Sequence, residues 1–208
     1  GTYNAYGSPE TRIRYRNVSQ VTTELYRLPR EDFIALNSEE GWRFWNEYQP
    51  QNANLIRRWS KEVSGELNAT NTMSMELTSD DGAKLSPGLY LLEVSAQGAP
   101  NVQRHVLIVS HMNLTLKSTD DEALVWVTDM QDGSPVSGAD VTVYSGQGER
   151  AAESTTNEDG VTTVQFEPQE PWSPLIAFAE TAESTGVVIN HWSRGIIPWD
   201  FGLSSAPM

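Results

Sequence analysis

Residues 123–166 of the 208-residue chain, ALVWVTDMQDGSPVSGADVTVYSGQGERAAESTTNEDGVTTVQF, constrain the fold more than any other stretch. Ala123 to Thr128 are almost all apolar or β-branched, the composition of a core strand covered on both faces. Asp132-Gly133-Ser134-Pro135 and Ser137-Gly138-Ala139 then supply the positive and the fixed φ values that turns need, so the chain reverses. Val141 and Val143 alternate with Thr142 and Tyr144 before Gly146 and Gly148 open a loop. Asn157-Glu158-Asp159-Gly160 is a further turn, and Val164 and Phe166 share one face of the strand that follows it. The stretch predicts three strands of a β-sandwich and carries no catalytic motif.

The charge is unevenly divided. Residues 1–112 hold 11 Lys and Arg against 13 Asp and Glu, a net of −2, whereas residues 113–208 hold 3 against 15, a net of −12. The shift places a domain boundary near Met112, and the length suits two sandwiches of about 100 residues each. So acidic a second half repels phosphate backbones, which argues against nucleic acid and anionic membrane as partners. Cysteine is absent, which excludes disulfides, thiolate metal sites and a nucleophilic thiol. No apolar run approaches the length of a membrane span, and no signal-peptide pattern opens the chain. Gly1 and the loop-like Ser204 to Met208 are read as the ends of a piece of something longer.

In the first half, Thr11 to Leu28 reads as two short strands split near Asn17 to Gln20, with Arg12, Arg14 and Arg16 facing water opposite Ile13 and Tyr15. Arg30 to Gln49 changes to helical spacing: Trp42 and Trp45 are three apart, Phe44 and Tyr48 four apart, and Asn37 with Glu40 is read as a capping pair. The aromatic cluster is expected to anchor this helical insertion onto a sheet, with a sugar-stacking platform as the alternative. Strands resume at residues 55–63, 72–78, 88–96 and 102–109. In the second half, Pro168 to Pro174 is a loop carrying Trp172, and residues 175–179 and 187–190 are the remaining strands. The connection from Ser110 to Ser118 is too short and apolar for a free linker and predicts a fixed interface.

With these strands and turns laid out, residues 123–144, TNEDGVTTVQF at 156–166 and WSRGIIPWDFGL at 192–203 resemble a macroglobulin-type module of the bacterial α2-macroglobulin family. VTTELYRLPREDF at 21–33 is similar to the module before it. The resemblance implies an all-β chain of two consecutive antiparallel sandwiches: residues 1–112 with the helical insertion near 30–49, residues 113–203, and a linker at 204–208. It also implies an extracytoplasmic parent, in the envelope or secreted, that traps endopeptidases when they cut a bait segment. The partners would be the neighbouring macroglobulin-like domains and, through the parent, the target endopeptidases. Family thioesters need a Cys with a nearby Gln, so without Cys that chemistry cannot lie here, and no long unstructured bait segment is visible. The expectation is scaffold rather than enzyme, with no catalytic residue, no metal ligand and no cofactor. The alternative is an adhesion or carbohydrate-binding array in which Trp172, Trp192 and Trp199 stack on sugars.

Other candidates are weaker. Asp120, Asp121, Glu122, Asp129 and Asp132 could gather oxygens for Ca²⁺, but their spacing does not match an EF-hand loop. His105, His111 and His191 are too scattered for zinc, and no Gly-x-Ser-x-Gly elbow is present. Lys117 and Asn190 suggest an isopeptide cross-link between the first and last strands of the second half. Asn17, Asn68 and Asn113 each open a glycosylation sequon.

Overall fold

The computed structural model describes residues 1–99, 101–170 and 173–190. The first half contains β1 (Thr2–Asn4), β2 (Glu10–Tyr15), β3 (Gln20–Arg27), α1 (Arg30–Asn37), α2 (Gly41–Glu47), β4 (Leu55–Glu62), β5 (Asn71–Glu76), β6 (Gly88–Ala96) and β7 (Gln103–Ser110). The second contains β8 (Met112–Ser118), β9 (Glu122–Asp129), β10 (Asp140–Tyr144), β11 (Arg150–Thr155), β12 (Val161–Gln165), β13 (Ile176–Glu180) and β14 (Thr185–Ile189). The fold is all-β with a short helical insertion, as expected. The strands form four sheets, ordered β1-β7-β6-β3-β4, β2-β5, β11-β10-β13-β14 and β12-β9-β8.

Three apolar cores separate four β layers. Strand β6 shows why, because Leu89 and Leu91 point to one side and Tyr90 and Leu92 to the other, all four buried. On the Tyr90 side lies a core with Leu25, Leu77, Leu107 and Val109, continued beneath β2 and β5 by Ile13, Val21 and Met73. On the Leu89 side, Val106 and Ile108 meet Phe33, Ile34 and Leu36 of α1 and then Ile176, Phe178, Val187 and Ile189 of β13 and β14. Alternate residues of β13, Ala177 and Ala179, face away into a third core with Val125, Val127, Val141 and Val143. The two sandwiches therefore share their middle core.

Ala123 to Thr128 is not covered on both faces: Ala123, Val125 and Val127 are buried, whereas Leu124 is 37% and Trp126 45% exposed. Two outward apolar side chains hid an alternating strand. The strands buried on both faces are β6, β7 and β13. Residues 123–166 hold four strands rather than three, because β11, sequence RAAEST, pairs at a sheet edge with little apolar side chain to announce it. The pairing is not wholly antiparallel: β1 lies parallel to β7 with Thr2 opposite Ile108, the rest of the first half serving as the crossover that a parallel pair requires. Asn37 and Glu40 form no capping pair. Asn37 ends α1 and its Nδ2 donates to the Phe33 carbonyl at 2.7 Å, while α2 begins without a side-chain cap.

The predicted turns lie where glycine is required. Gly160 has φ +72°, and a Cβ there would sit 2.4 Å from the Val127 carbonyl. Asn157 Oδ1 accepts from the N–H groups of Asp159 and Val161 at 3.0 and 2.9 Å, closing the same turn.

Candidate functional site

The most elaborate side-chain arrangement lies where the halves meet, and α1 is its centre. Pro29, at φ −59°, precedes the helix and fixes the entry of the chain, and Phe33 and Ile34 then turn into the middle core. The Phe33 and Tyr144 rings pack edge-on to Phe178 at centroid distances of 5.7 and 5.8 Å. Arg30 covers the cluster: its guanidinium lies 4.1 Å from the Phe178 centroid and 5.5 Å from that of Tyr144, and Nη1 donates to Glu180 Oε2 at 2.8 Å. Arg30 Nε and Nη2 are buried without hydrogen-bond partners among the described residues, so the aromatic faces carry that side of the cation.

Polar contacts surround the apolar joint. Glu39 N–H donates to the Gly146 carbonyl at 2.9 Å, and Glu39 Oε1 accepts from Ser173 Oγ and, at 3.1 Å, from Gln147 Nε2. Ser184 Oγ accepts from His111 N–H at 3.0 Å and lies 3.3 Å from Ser110 Oγ, which accepts from Met112 N–H at 2.9 Å. On the far side, the Tyr6 ring lies over His111 at 4.4 Å and its hydroxyl donates to Asp129 Oδ2 at 2.6 Å. That bond raises the Tyr6 pKa above its ordinary value, because an ionised phenolate would lose it. The connection read as fixed is thus held by apolar, aromatic and polar contacts together.

The helical aromatics divide. Trp45 and Tyr48 pack against the middle core, whereas Trp42 and Phe44 are 65% and 48% exposed. Tyr48 Oη donates to Asp32 Oδ2 at 2.7 Å, and burial, then the bond and charge of Asp32, push its pKa far up. Arg104 ties α2 to the sheet, donating from Nε to Glu93 Oε1 at 2.7 Å and from Nη1 to the Trp45 carbonyl at 2.8 Å. An open groove of about 770 Å³ runs between the helices and the β10–β11 turn, lined by Arg30, Ile34, Glu39, Phe44, Tyr144 and Gly148.

The structure disperses most residues singled out in the sequence. Asp129 accepts from Tyr6 and from Gln131 N–H at 2.6 Å, Asp132 accepts from Ser134 N–H at 2.8 Å, and Asp121 accepts from Thr119 Oγ1 at 3.0 Å. Each caps its own loop or the junction, and no group of three or more His, Asp or Glu among the described residues is placed to hold a metal ion. His105 contacts Tyr3, His111 contacts Tyr6, and His191 lies outside the described residues, as do Trp172, Trp192, Trp199 and all of residues 192–208. Lys117 is exposed on β8 and Asn190 Oδ1 accepts from Leu175 N–H at 3.1 Å, so they are not a buried cross-linking pair. Asn17 and Asn68 meet, both at positive φ: Asn17 Nδ2 donates to Asn68 Oδ1 at 2.9 Å and Asn68 N–H to Asn17 Oδ1 at 2.7 Å. Sequence reasoning missed the role of Arg30 and Glu39, although their place at the start of a short helix and just past its end, beside Phe33, marks the segment that fits the joint.

The site therefore lies in a core common to two β-sandwiches in series, into which a short helical segment packs. Residues 109–207 match the family model described as the bacterial alpha-2-macroglobulin MG3 domain. The second half of the chain is thus similar to a domain of the bacterial alpha-2-macroglobulin family. Among solved structures, native Escherichia coli alpha-2-macroglobulin spanning domains MG0-NIE-MG1 superposes with TM-score 0.63 at 14% identity, over 85% of this chain and 57% of that one. The NIE-MG1 span of the same protein gives 0.62 at 14% identity, over 86% and 88%. Salmonella alpha-2-macroglobulin reacted with methylamine gives 0.64 at 13% identity, over 90% of this chain and 11% of that one. Likeness at that identity defines the fold alone, and this chain spans little more than half of the first structure and about a tenth of the Salmonella chain. No curated protein matches the sequence.

Proposed function

We propose that residues 1–112 and 113–203 are two consecutive, non-catalytic scaffold modules of an extracytoplasmic bacterial α2-macroglobulin-type endopeptidase inhibitor. The observation that carries this reading is the shared middle core, in which Phe33 and Ile34 of the first half pack with Ile176, Phe178, Val187 and Ile189 of the second. A joint of that kind holds two modules at one angle, which is what an array that must rearrange as a unit requires of its struts. The family match over residues 109–207 supports the assignment. Its partners are the adjoining modules of the parent and, through the parent, the proteases it traps. Among the described residues no helix is long and apolar enough to cross a membrane.

The test compares the parent protein with this chain alone. Mixed with an endopeptidase, the parent should suppress cleavage of a large protein substrate, and the 208-residue chain should neither suppress it nor hydrolyse anything itself. Inhibition by the isolated chain, or a parent without effect on any endopeptidase, would falsify the reading. The carbohydrate alternative has one observation in its favour, the exposure of Trp42 and Trp126. Quenching of their fluorescence by glycans would favour it.

A further inference from the structure

The two-stranded sheet β2-β5 covers a five-stranded one, so the first sandwich is unequal and β2 is an edge strand. The bond from Leu77 N–H to the Pro9 carbonyl, 2.8 Å, sets the phase of the ladder. Pro9, Thr11, Ile13 and Tyr15 direct their backbone groups at β5, which leaves those of Glu10, Arg12 and Arg14 on the opposite edge. No strand among the described residues pairs with that edge. Beside it runs an open groove of about 470 Å³ whose lining includes Ile13, Leu92, Val94 and Gln103, together with Arg12 and Arg14.

The side chains on this strand are as suggestive as its backbone. Arg12 and Arg14 share the outward face, with Arg16 just past the strand's end; all three are exposed, and none forms an ion pair among the described residues. Their partners across β5, Ser74 opposite Arg12 and Thr72 opposite Arg14, are uncharged. Alternate residues of a strand repeat about every 6.8 Å, so Arg12 and Arg14 stand at the period of a neighbouring strand's side chains. The first half is nearly neutral, so its overall charge does not repel an anionic segment.

We propose that the free edge of β2 is a β-strand addition site for an extended peptide segment alternating acidic and apolar residues. Its backbone would satisfy the free groups of Glu10, Arg12 and Arg14. Its carboxylates would stand opposite Arg12 and Arg14 on the outer face, where directly opposed unlike charges stabilise a strand pair. Its apolar residues, turned the other way by the pleat, would cover Ile13, Leu92 and Val94 on the groove floor. The same arginines, were they only a guard against pairing, would leave the edge empty whatever segment is offered. This inference stands apart from the protease-trapping reading.

The test uses the 208-residue chain and a ten-residue end-blocked peptide alternating Glu and Val, followed by amide hydrogen exchange. The peptide should slow exchange at Arg12 and Arg14, and raising the salt or introducing R12E/R14E should weaken binding by about tenfold. R12Q/R14Q, which removes charge without reversing it, should fall between, and circular dichroism checks that both variants remain folded. The proposal is overturned if a Lys-Val peptide protects the same amides equally, if protection falls elsewhere, or if R12E/R14E binds as the parent chain does. Binding to phosphatidylserine vesicles without binding to the peptide would also overturn it, in favour of a membrane contact.

Discussion

The middle core and the outer core of the second half are built from the same β13, yet their contents differ. One face of the strand sends Ile176 and Phe178 inward to meet Phe33, Tyr26, Leu91 and Ile108. The other sends Ala177 and Ala179 against Ala123, Val125, Val127, Ala139 and Val143. Small residues suit two pleated sheets that interdigitate directly, at a separation of about 10 Å. Large aromatic and branched residues are needed where α1 is wedged between sheets and the gap is wider and irregular. Along β13 the face toward the module interface and the face toward the module interior therefore differ in side-chain volume as much as in hydrophobicity.

Phe178→Ala tests that contrast most severely. It removes the ring that meets Phe33, Tyr144 and Arg30, and should cost about 4 kcal/mol. If the middle core is common property, chemical denaturation will show both halves losing stability together; two transitions of which only one moves would break the comparison. Arg104→Ala comes next, because it leaves Glu93, itself 9% exposed, as an uncompensated carboxylate and frees the end of α2, at about 3 kcal/mol. The measurement is the same denaturation curve, and a change below 1 kcal/mol would show that the pair contributes little.

Gly160→Ala sharpens the outer side. The φ of +72° and the approach to the Val127 carbonyl should make it about 2 kcal/mol destabilising, read as a lower melting temperature. An unchanged melting temperature would mean that the turn relaxes freely. Trp126→Thr is expected to do least: its side chain faces outward between Thr115 and Val161, so stability should stay within about 0.5 kcal/mol. A large loss would show that the outer face of β9 is held by its tryptophan, and the one-sided description of that strand would fail.

These residues also show how far a sequence can be read. The turns at Asp132-Gly133, Ser137-Gly138 and Asp159-Gly160 were legible because positive φ selects glycine locally, and all three glycines lie at φ between 72° and 75°. The split of the strands near Asn17 is legible from alternation, and so are the bounds of β6 at Gly88 and Ala96. The alternation of β9 is hidden in the sequence because an exposed Trp126 and Leu124 look the same there as buried ones, and β11 gives little signal because an edge strand needs few apolar residues. The Asn37–Glu40 pairing failed because the three-residue spacing of a capping box also arises where one helix ends and another begins.

What the sequence determines by itself is the inventory of strands and turns, since these depend on φ preference and a two-residue alternation within a few residues of chain. The tertiary structure alone decided which face of each strand is shared. Phe33, Tyr144 and Phe178 stand far apart in sequence, and nothing local marks them as neighbours. It also decided that Arg30 rests on that cluster rather than in water, and that the edge of β2 beside Arg12 and Arg14 is left without a partner strand. Those outcomes depend on how whole sheets stack, and the free energy of stacking belongs to the assembled faces rather than to any one segment.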